Sequence, residues 1–198
     1  GYWNLVEIAS KAFTQGYYYK PRVDYDLLKE HSNGIIALSG CLGGEIAQLL
    51  APDASREEGN QGQERSFERA LEKADFYQNL FGKENFYIEI MKHGIQQQEE
   101  ILPDLLKISD SISAPLVATN DSHYVYDSDA SAHDALLCVQ TNATLDDESR
   151  FKFDGSGYFI KSSEDMRKLF PHNYFTDACN NTLKILDRVN YEFKKYEK

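Results

Sequence analysis

The sequence predicts an α/β protein built on parallel strands. Three short apolar runs alternate with amphipathic stretches, in the order helix, strand, helix, strand, helix, strand. Repeated βα units of this kind imply parallel strands joined by right-handed crossovers. A chain of 198 residues, 41% of them hydrophobic and 27% charged, is large enough to bury a core and too apolar to be disordered as a whole.

The first predicted elements are two helices. Apolar residues recur at helical spacing over residues 2–13, and Gly16 is placed to end this helix with a positive φ. Because the amphipathic pattern starts at once and without a capping residue, we expect Gly1 to be a cut end. Residues 17–22 predict an extended aromatic segment, since the proline within it disfavours helix before it. A second helix is expected over residues 25–31.

Three apolar runs predict the strands. They cover residues 35–38, 86–91 and 116–118. The first run lacks alternation of apolar and polar residues, which suits a strand buried on both faces of a parallel sheet. A helix is expected after it over residues 45–50, and the polar residues 52–64 predict an exposed loop.

Two longer helices connect these strands. The first can end at Gly82, and Pro103 should either kink the second or mark its true start, because proline has no backbone donor. The apolar stripe of the first helix consists of Phe67, Leu71, Ala74, Tyr77 and Phe81, and that of the second consists of Ile101, Leu105, Ile108 and Ile112.

The pattern becomes helical after the third strand. Ser128 or Asp129 can cap a helix that runs to about Gln140, and we expect four of its apolar residues to face inward. These four residues are Ala132, Ala135, Leu136 and Val139. The remaining elements are a polar loop over residues 141–157, an extended piece over residues 158–160, a helix that starts near Ser163 and a last helix over residues 174–189.

The composition excludes several classes of function. The net charge is −11, so the chain has no broadly basic face, and binding to nucleic acid is expected only through a local patch or a larger protein. The longest apolar runs are too short to cross a bilayer and no signal-peptide pattern is present, so we expect no membrane partner. Three scattered cysteines predict neither a disulfide framework nor a zinc knuckle, which favours a reducing, cytosolic setting.

Four residues with metal-binding side chains follow the ends of the predicted strands. Cys41 follows the first strand, His93 the second, and Asp121 and His123 the third. The carboxyl ends of parallel strands meet at one edge, where α/β proteins assemble their sites. Thiolate, imidazole and carboxylate all bind zinc or transition metals, so the sequence predicts a metal site at this edge. The alternatives are a buried cysteine and ordinary turn-forming side chains. No nucleophilic triad or phosphate-binding loop is found.

Several stretches carry a resemblance to a known family. They lie in residues 1–5, 16–24, 36–45, 89–94, 117–124 and 132–141, and include Ser39-Gly40-Cys41-Leu42-Gly43-Gly44-Glu45, Glu89-x-x-x-His93-Gly94 and Thr119-Asn120-Asp121-x-His123-Tyr124. In this order they resemble the later part of the PHP (polymerase and histidinol phosphatase) domain of bacterial replicative DNA polymerase III alpha subunits. The resemblance is weak over residues 52–64.

The resemblance implies a fold and a site. The family's PHP domain is a distorted barrel of seven parallel strands, so residues 1–126 would be its C-terminal part, and residues 127–198 a helical extension toward the polymerase palm. A multinuclear metal site lies at the carboxyl edge of that barrel. Cys41, Asp121 and His123 match its late ligands, whereas His93 matches a His-Gly motif that need not bind metal directly. Zinc or manganese would occupy the PHP site, and magnesium would serve the parent polymerase.

The resemblance also leaves two roles open. The parent protein would be a cytoplasmic DNA-directed DNA polymerase, with DNA and the other polymerase III holoenzyme subunits as partners. Within it, the PHP region is either a metal-dependent phosphoesterase or 3′–5′ exonuclease, or a scaffold with a decayed site. A stand-alone histidinol-phosphatase-like enzyme is a third alternative. Since the palm's aspartates and the early PHP ligands have no counterpart here, we expect this chain alone to be inactive and to hold little metal.

Overall fold

A computed structural model describes residues 1–51, 64–170 and 174–193. Within these ranges the strands are β1 (Ala37–Leu38), β2 (Phe86–Ile90) and β3 (Leu116–Ala118), and the helices are α1 (Tyr2–Thr14), α2 (Tyr25–His31), α3 (Glu45–Leu50), α4 (Phe67–Phe81), α5 (Gln96–Ile112), α6 (Ala130–Thr141), α7 (Ser163–Leu169) and α8 (Tyr174–Arg188). The strands form a parallel sheet in the order β1-β2-β3, which confirms the α/β class. The seven-stranded barrel stays a prediction.

The core forms around β2, whose five residues are all buried. Helices α3, α4 and α5 contribute to the same apolar cluster, and α8 adds Phe175 and Ala178 while packing on β3. The side chain of Asn181 on α8 is buried and donates a hydrogen bond to the Leu116 carbonyl at 2.7 Å. Each fully buried large side chain, such as Ile88, stabilises the fold by about 1.5–3 kcal/mol. The sheet and the C-terminal helices therefore share one core.

The predicted helix ends are largely confirmed. Helix α4 begins where the Ser66 hydroxyl accepts the Arg69 amide at 3.3 Å, and it ends at Gly82 with φ of 93°. Helix α7 begins with a capping box in which Ser162 and Asp165 satisfy each other's backbone amides. Helix α5 is continuous from Gln96 to Ile112 and contains Pro103, so the proline does not mark its start.

The first strand is shorter and less buried than expected. Only Ala37 and Leu38 pair with β2, and Leu38 is 39% exposed, so the prediction of a strand buried on both faces is wrong. The reason is its position, because β1 lies at one end of the three-stranded order and has a single strand neighbour within the described residues. A continuous apolar run cannot distinguish an edge strand from a central one.

Two expectations near the N-terminus are also wrong. Helix α1 is followed by Gln15 with φ of −121°, and Gly16 does not have a positive φ. The left-handed residue is instead Tyr19, with φ of 59°, inside a tight reversal in which the Tyr18 amide donates to the Lys20 carbonyl at 3.0 Å. The aromatic segment is therefore a turn and not a continuous extended piece.

The residues of α6 that face the core are not the ones that the sequence predicted. Leu136 and Val139 are 63% and 78% exposed, whereas Leu137 and Cys138 are buried. The helix carries apolar residues on two overlapping faces, so periodicity alone could not select between them. Its bounds agree closely with the prediction, but Asp129, which precedes its first residue, makes no side-chain capping hydrogen bond with the helix.

Two further predictions concern exposure and the membrane. The loop expected over residues 52–64 lies outside the described residues except for residue 64. In the described part of the chain, no helix is both long and apolar enough to cross a membrane.

Candidate functional site at the carboxyl edge of the sheet

Asp121 and His123 lie close together just after β3. The Asp121 Oδ1 atom is 3.3 Å from His123 Nε2, and the two side chains are 47% and 35% exposed. Asp121 has φ of 42°, a left-handed conformation that costs a non-glycine residue about 1–3 kcal/mol. The backbone is therefore strained at Asp121, and solvent reaches both side chains.

His93 occupies the end of β2 in a different state. It is buried, with 3% exposure, and both ring nitrogens have partners: Nε2 lies 3.0 Å from the Asn120 carbonyl oxygen, and Nδ1 lies 3.0 Å from Gln98 Nε2. These partners assign the proton to Nε2, because the carbonyl can only accept and the Gln98 amide donates to Nδ1. Burial lowers the pKa of His93, so the ring is neutral. Neither nitrogen is open to a metal in this arrangement.

An aromatic ring covers His93. The Tyr158 ring stacks on the imidazole with centroids 4.2 Å apart and planes at 9°, and it also meets His123 edge-on at 6.0 Å. Burial, with the nearby charge of Asp121, raises the pKa of Tyr158 to about 12. Tyr158 is thus a neutral ring between the two histidines.

Cys41 is exposed at the end of β1, and is not the buried cysteine that its residue type favours. It lines a narrow cleft with Glu89, Met91 and Gln98, so it lies beside the end of β2. In the strand order, Cys41, His93 and the Asp121–His123 pair follow β1, β2 and β3 respectively.

Glu89 connects the three strand ends, a role that the sequence analysis missed. It is 9% exposed, and its carboxylate accepts hydrogen bonds from the Thr119 hydroxyl at 2.6 Å and from the Gly40 amide at 3.1 Å. Its own amide donates to the Ser39 hydroxyl at 2.8 Å. A buried carboxylate needs such partners to offset its desolvation. The available signal was an acidic residue inside an otherwise apolar strand.

Asn120 and Lys161 were also missed. The Asn120 side chain donates to the carbonyls of Gly157 at 3.0 Å and Phe159 at 2.7 Å, and its Oδ1 accepts from Lys161 Nζ at 2.9 Å. Lys161 donates to the Gly157 carbonyl as well, and burial lowers the pKa of Lys161. No local pattern reveals these contacts, because their partners are 37–41 residues apart.

A second group of rings closes the outer side of this edge. His133 on α6 lies 5.5 Å from His123 and 5.0 Å from Phe153, measured between ring centroids. The neighbouring Asp134 forms a two-bond ion pair with Arg150, at 2.6 and 2.7 Å, and this hydrogen bonding lowers the pKa of Asp134. The ion pair therefore connects α6 to the loop that follows it.

The residues present do not by themselves fit a metal centre. Across residues 1–51, 64–170 and 174–193, no group of three or more His, Cys, Asp or Glu side chains is arranged to hold a metal ion. His93 is fully engaged in hydrogen bonds, which leaves the Asp121–His123 pair and the exposed Cys41. Structural zinc sites use four protein ligands and catalytic ones three. The described edge supplies a partial set.

The sequence of the first part of the chain matches a known domain family. Residues 1–93 match the PHP domain family, a range that contains β1, β2, Cys41 and His93. The match ends at His93, so Asp121 and His123 lie beyond it.

Comparison with curated proteins extends the relationship over nearly the whole chain. The chain is 43% identical over 193 residues to the DNA polymerase III subunit alpha of Deinococcus radiodurans, and 43% identical over 193 residues to that of Saccharopolyspora erythraea. It is 38% identical over 207 residues to that of Thermus aquaticus. These alignments cover 97–99% of the chain and 14–16% of the relatives. Residues 1–93 therefore carry the sequence of a PHP domain, and the chain as a whole is similar to a segment of DNA polymerase III alpha subunits that spans about a seventh of their length.

Proposed function

We propose that this chain acts as a structural segment of a replicative DNA polymerase alpha subunit, joining the PHP region to the polymerase. The observation that carries the proposal is that the buried polar groups at the sheet edge have all their hydrogen-bonding partners within the chain itself. Glu89 and His93 have their hydrogen-bonding atoms engaged within the described residues, and Tyr158 covers the His93 ring. Buried polar groups whose hydrogen-bonding atoms are all engaged stabilise the fold and are not free to bind a ligand.

The contacts cross the end of the PHP match. His93 is the last matched residue, yet its ring is held by Asn120 and covered by Tyr158. Beyond the match, helix α8 packs on β3, and its buried Asn181 donates to the Leu116 carbonyl. These contacts support a rigid connection between residues 1–126 as the barrel-derived part and residues 127–198 as an extension toward the palm. The parent protein would work in the cytoplasm with DNA, the other holoenzyme subunits and magnesium.

The Asp121–His123 pair favours a second candidate function. An accessible carboxylate and imidazole 3.3 Å apart could contribute to a metal-dependent phosphoesterase or 3′–5′ exonuclease site with zinc or manganese. Such a site would need ligands from outside the described residues, because these supply no group of three. Asp121 and His123 would hold the metal, and the metal would supply Lewis acidity.

Two variants of a full-length alpha subunit carrying this segment separate the candidates. One variant, Asp121→Asn with His123→Gln, removes the exposed pair, and the other, His93→Ala, removes the buried ring. The structural role predicts that the first keeps primer extension within about twofold, whereas the second loses thermal stability and extension together. Loss of 3′-end degradation in the first variant, with extension intact, would favour the exonuclease candidate. Unchanged stability in the second variant would contradict the structural proposal.

A further inference from the structure

The residues on both sides of Asp121 are held by one short segment of chain. On the N-terminal side, the Asn120 side chain bonds the carbonyls of Gly157 and Phe159. On the C-terminal side, the His123 amide donates to the Tyr158 carbonyl at 2.7 Å. Residues 120 and 123 are therefore attached to neighbouring residues of the same partner segment, and Asp121 lies between these two attachments.

Both N–H groups of the Asn120 side chain donate hydrogen bonds in this contact. Its two N–H groups serve the carbonyls of Gly157 and Phe159, and its oxygen accepts from Lys161. The main-chain carbonyl of Asn120 is held separately, by His93 Nε2 at 3.0 Å. An aspartate at this position would have nearly the same shape but no donors, and its charge would face two carbonyl oxygens.

We infer that Asn120 is a positioning residue that holds Asp121 in its left-handed conformation and so sets the Asp121 carboxylate beside His123. Asp121 has φ of 42°, which a free chain rarely adopts. The conformation persists because the peptide before it is fixed at both the side chain and the carbonyl of Asn120. The inference rests on the proposed function only in treating the Asp121–His123 pair as the site of interest.

The test compares Asn120→Asp with a matched control in the 198-residue chain. The control is Asn79→Asp, the same chemical change on the exposed face of α4. The first readout is the strong NMR contact between the amide and α protons of Asp121 that marks a positive φ. The second is the change in Tm caused by Asp121→Gly, measured with and without the Asn120 substitution. A merely structural role would lower Tm without changing either quantity.

We expect the positive-φ signal of Asp121 to persist in the Asn79→Asp control and to be lost in Asn120→Asp. Asp121→Gly should raise Tm by about 2–4 °C in the unsubstituted chain, because glycine relieves the left-handed strain. That gain should disappear in the Asn120→Asp background. A signal and a gain that survive in Asn120→Asp would overturn the inference.

A milder variant covers the possibility that Asn120→Asp does not fold. Asn120→Ala removes the side-chain contacts with Gly157, Phe159 and Lys161 without adding a charge, and it keeps the main-chain carbonyl that His93 contacts. We expect the positive-φ signal and the Asp121→Gly gain to be lost in this variant as well, and unchanged values of both would refute the role of Asn120. Both readouts report backbone geometry and not catalysis, so failure of the polymerase-scaffold proposal would leave them unaffected.

Discussion

The carboxyl edge of the sheet has a closed half and an open half. The closed half, formed by Glu89, His93 and Asn120, is buried or half-buried and its polar atoms bond to the chain's own groups. The open half, formed by Asp121 and His123, is partly exposed, and its side chains meet each other at 3.3 Å. The two halves are separated by one peptide, yet one stabilises the fold and the other remains accessible.

The difference shows that residue type alone does not define a metal ligand. His93 and His123 both follow strand ends and both predict a ligand from sequence. Only the environment separates them, because His93 has a partner at each ring nitrogen whereas His123 is 35% exposed beside a carboxylate. Substitutions in the two halves should therefore have effects of very different size.

The largest effect is expected for His93→Ala. The change leaves the Asn120 carbonyl and the Gln98 amide without their partner and opens a cavity beneath Tyr158, so it should lower the free energy of unfolding by about 3 kcal/mol. Urea denaturation measures this loss. The matched control is His123→Ala in the open half, which should cost less than about 1 kcal/mol. Equal losses at the two histidines would contradict the distinction between the closed and the open half.

A smaller effect is expected for Glu89→Gln. The amide keeps one acceptor oxygen but presents donors toward the Gly40 amide or the Thr119 hydroxyl, so we expect a loss of about 1–2 kcal/mol in unfolding free energy. Glu99→Gln serves as the control, because Glu99 is half exposed and pairs with Lys92 at 3.2 Å. Urea denaturation measures both variants. Equal unfolding free energies for Glu89→Gln and Glu99→Gln would mean that the Glu89 carboxylate does not stabilise the fold.

Acidification should weaken the closed half. Burial lowers the pKa of His93 in the folded protein below the ordinary value of 6.5, so the unfolded chain takes up the proton first. The contribution of His93 is fully present above about pH 6.5 and declines as the pH falls toward the folded-state pKa, by up to about 1.4 kcal/mol per pH unit. Denaturation between pH 8 and pH 5 tests this. The His93→Gln variant should have a shallower dependence, and an identical slope would contradict the burial of a neutral ring.

The smallest effect is expected for Asp121→Asn. Asparagine tolerates the left-handed conformation, and an exposed contact between a carboxylate and an imidazole contributes little, so the unfolding free energy should change by less than about 0.5 kcal/mol. Thermal denaturation at pH 7 provides the comparison with Glu89→Gln. A loss as large as that of Glu89→Gln would show that the open half also holds the fold.

Local sequence patterns predicted the elements better than the contacts between them. Helix α3 and strand β3 have the expected bounds because a short apolar run, a glycine turn and a helix start are local signals. The half-exposed edge strand β1 was mispredicted, since its exposure depends on which strand lies beside it. The contact of Asn120 with Lys161 joins residues 41 apart and left no local trace. The candidate residues were found by type, whereas their roles were set by tertiary partners.

The most direct test of the closed half is the state of the His93 ring nitrogens when zinc is added to the 198-residue chain. Long-range ¹H–¹⁵N spectra report which nitrogen carries the proton and whether either binds metal. We expect His93 to carry its proton on Nε2 alone and to be unaffected by zinc, because both nitrogens are already engaged. A proton on Nδ1, or a zinc-dependent shift of either His93 nitrogen at stoichiometric metal, would contradict the structural role of this residue.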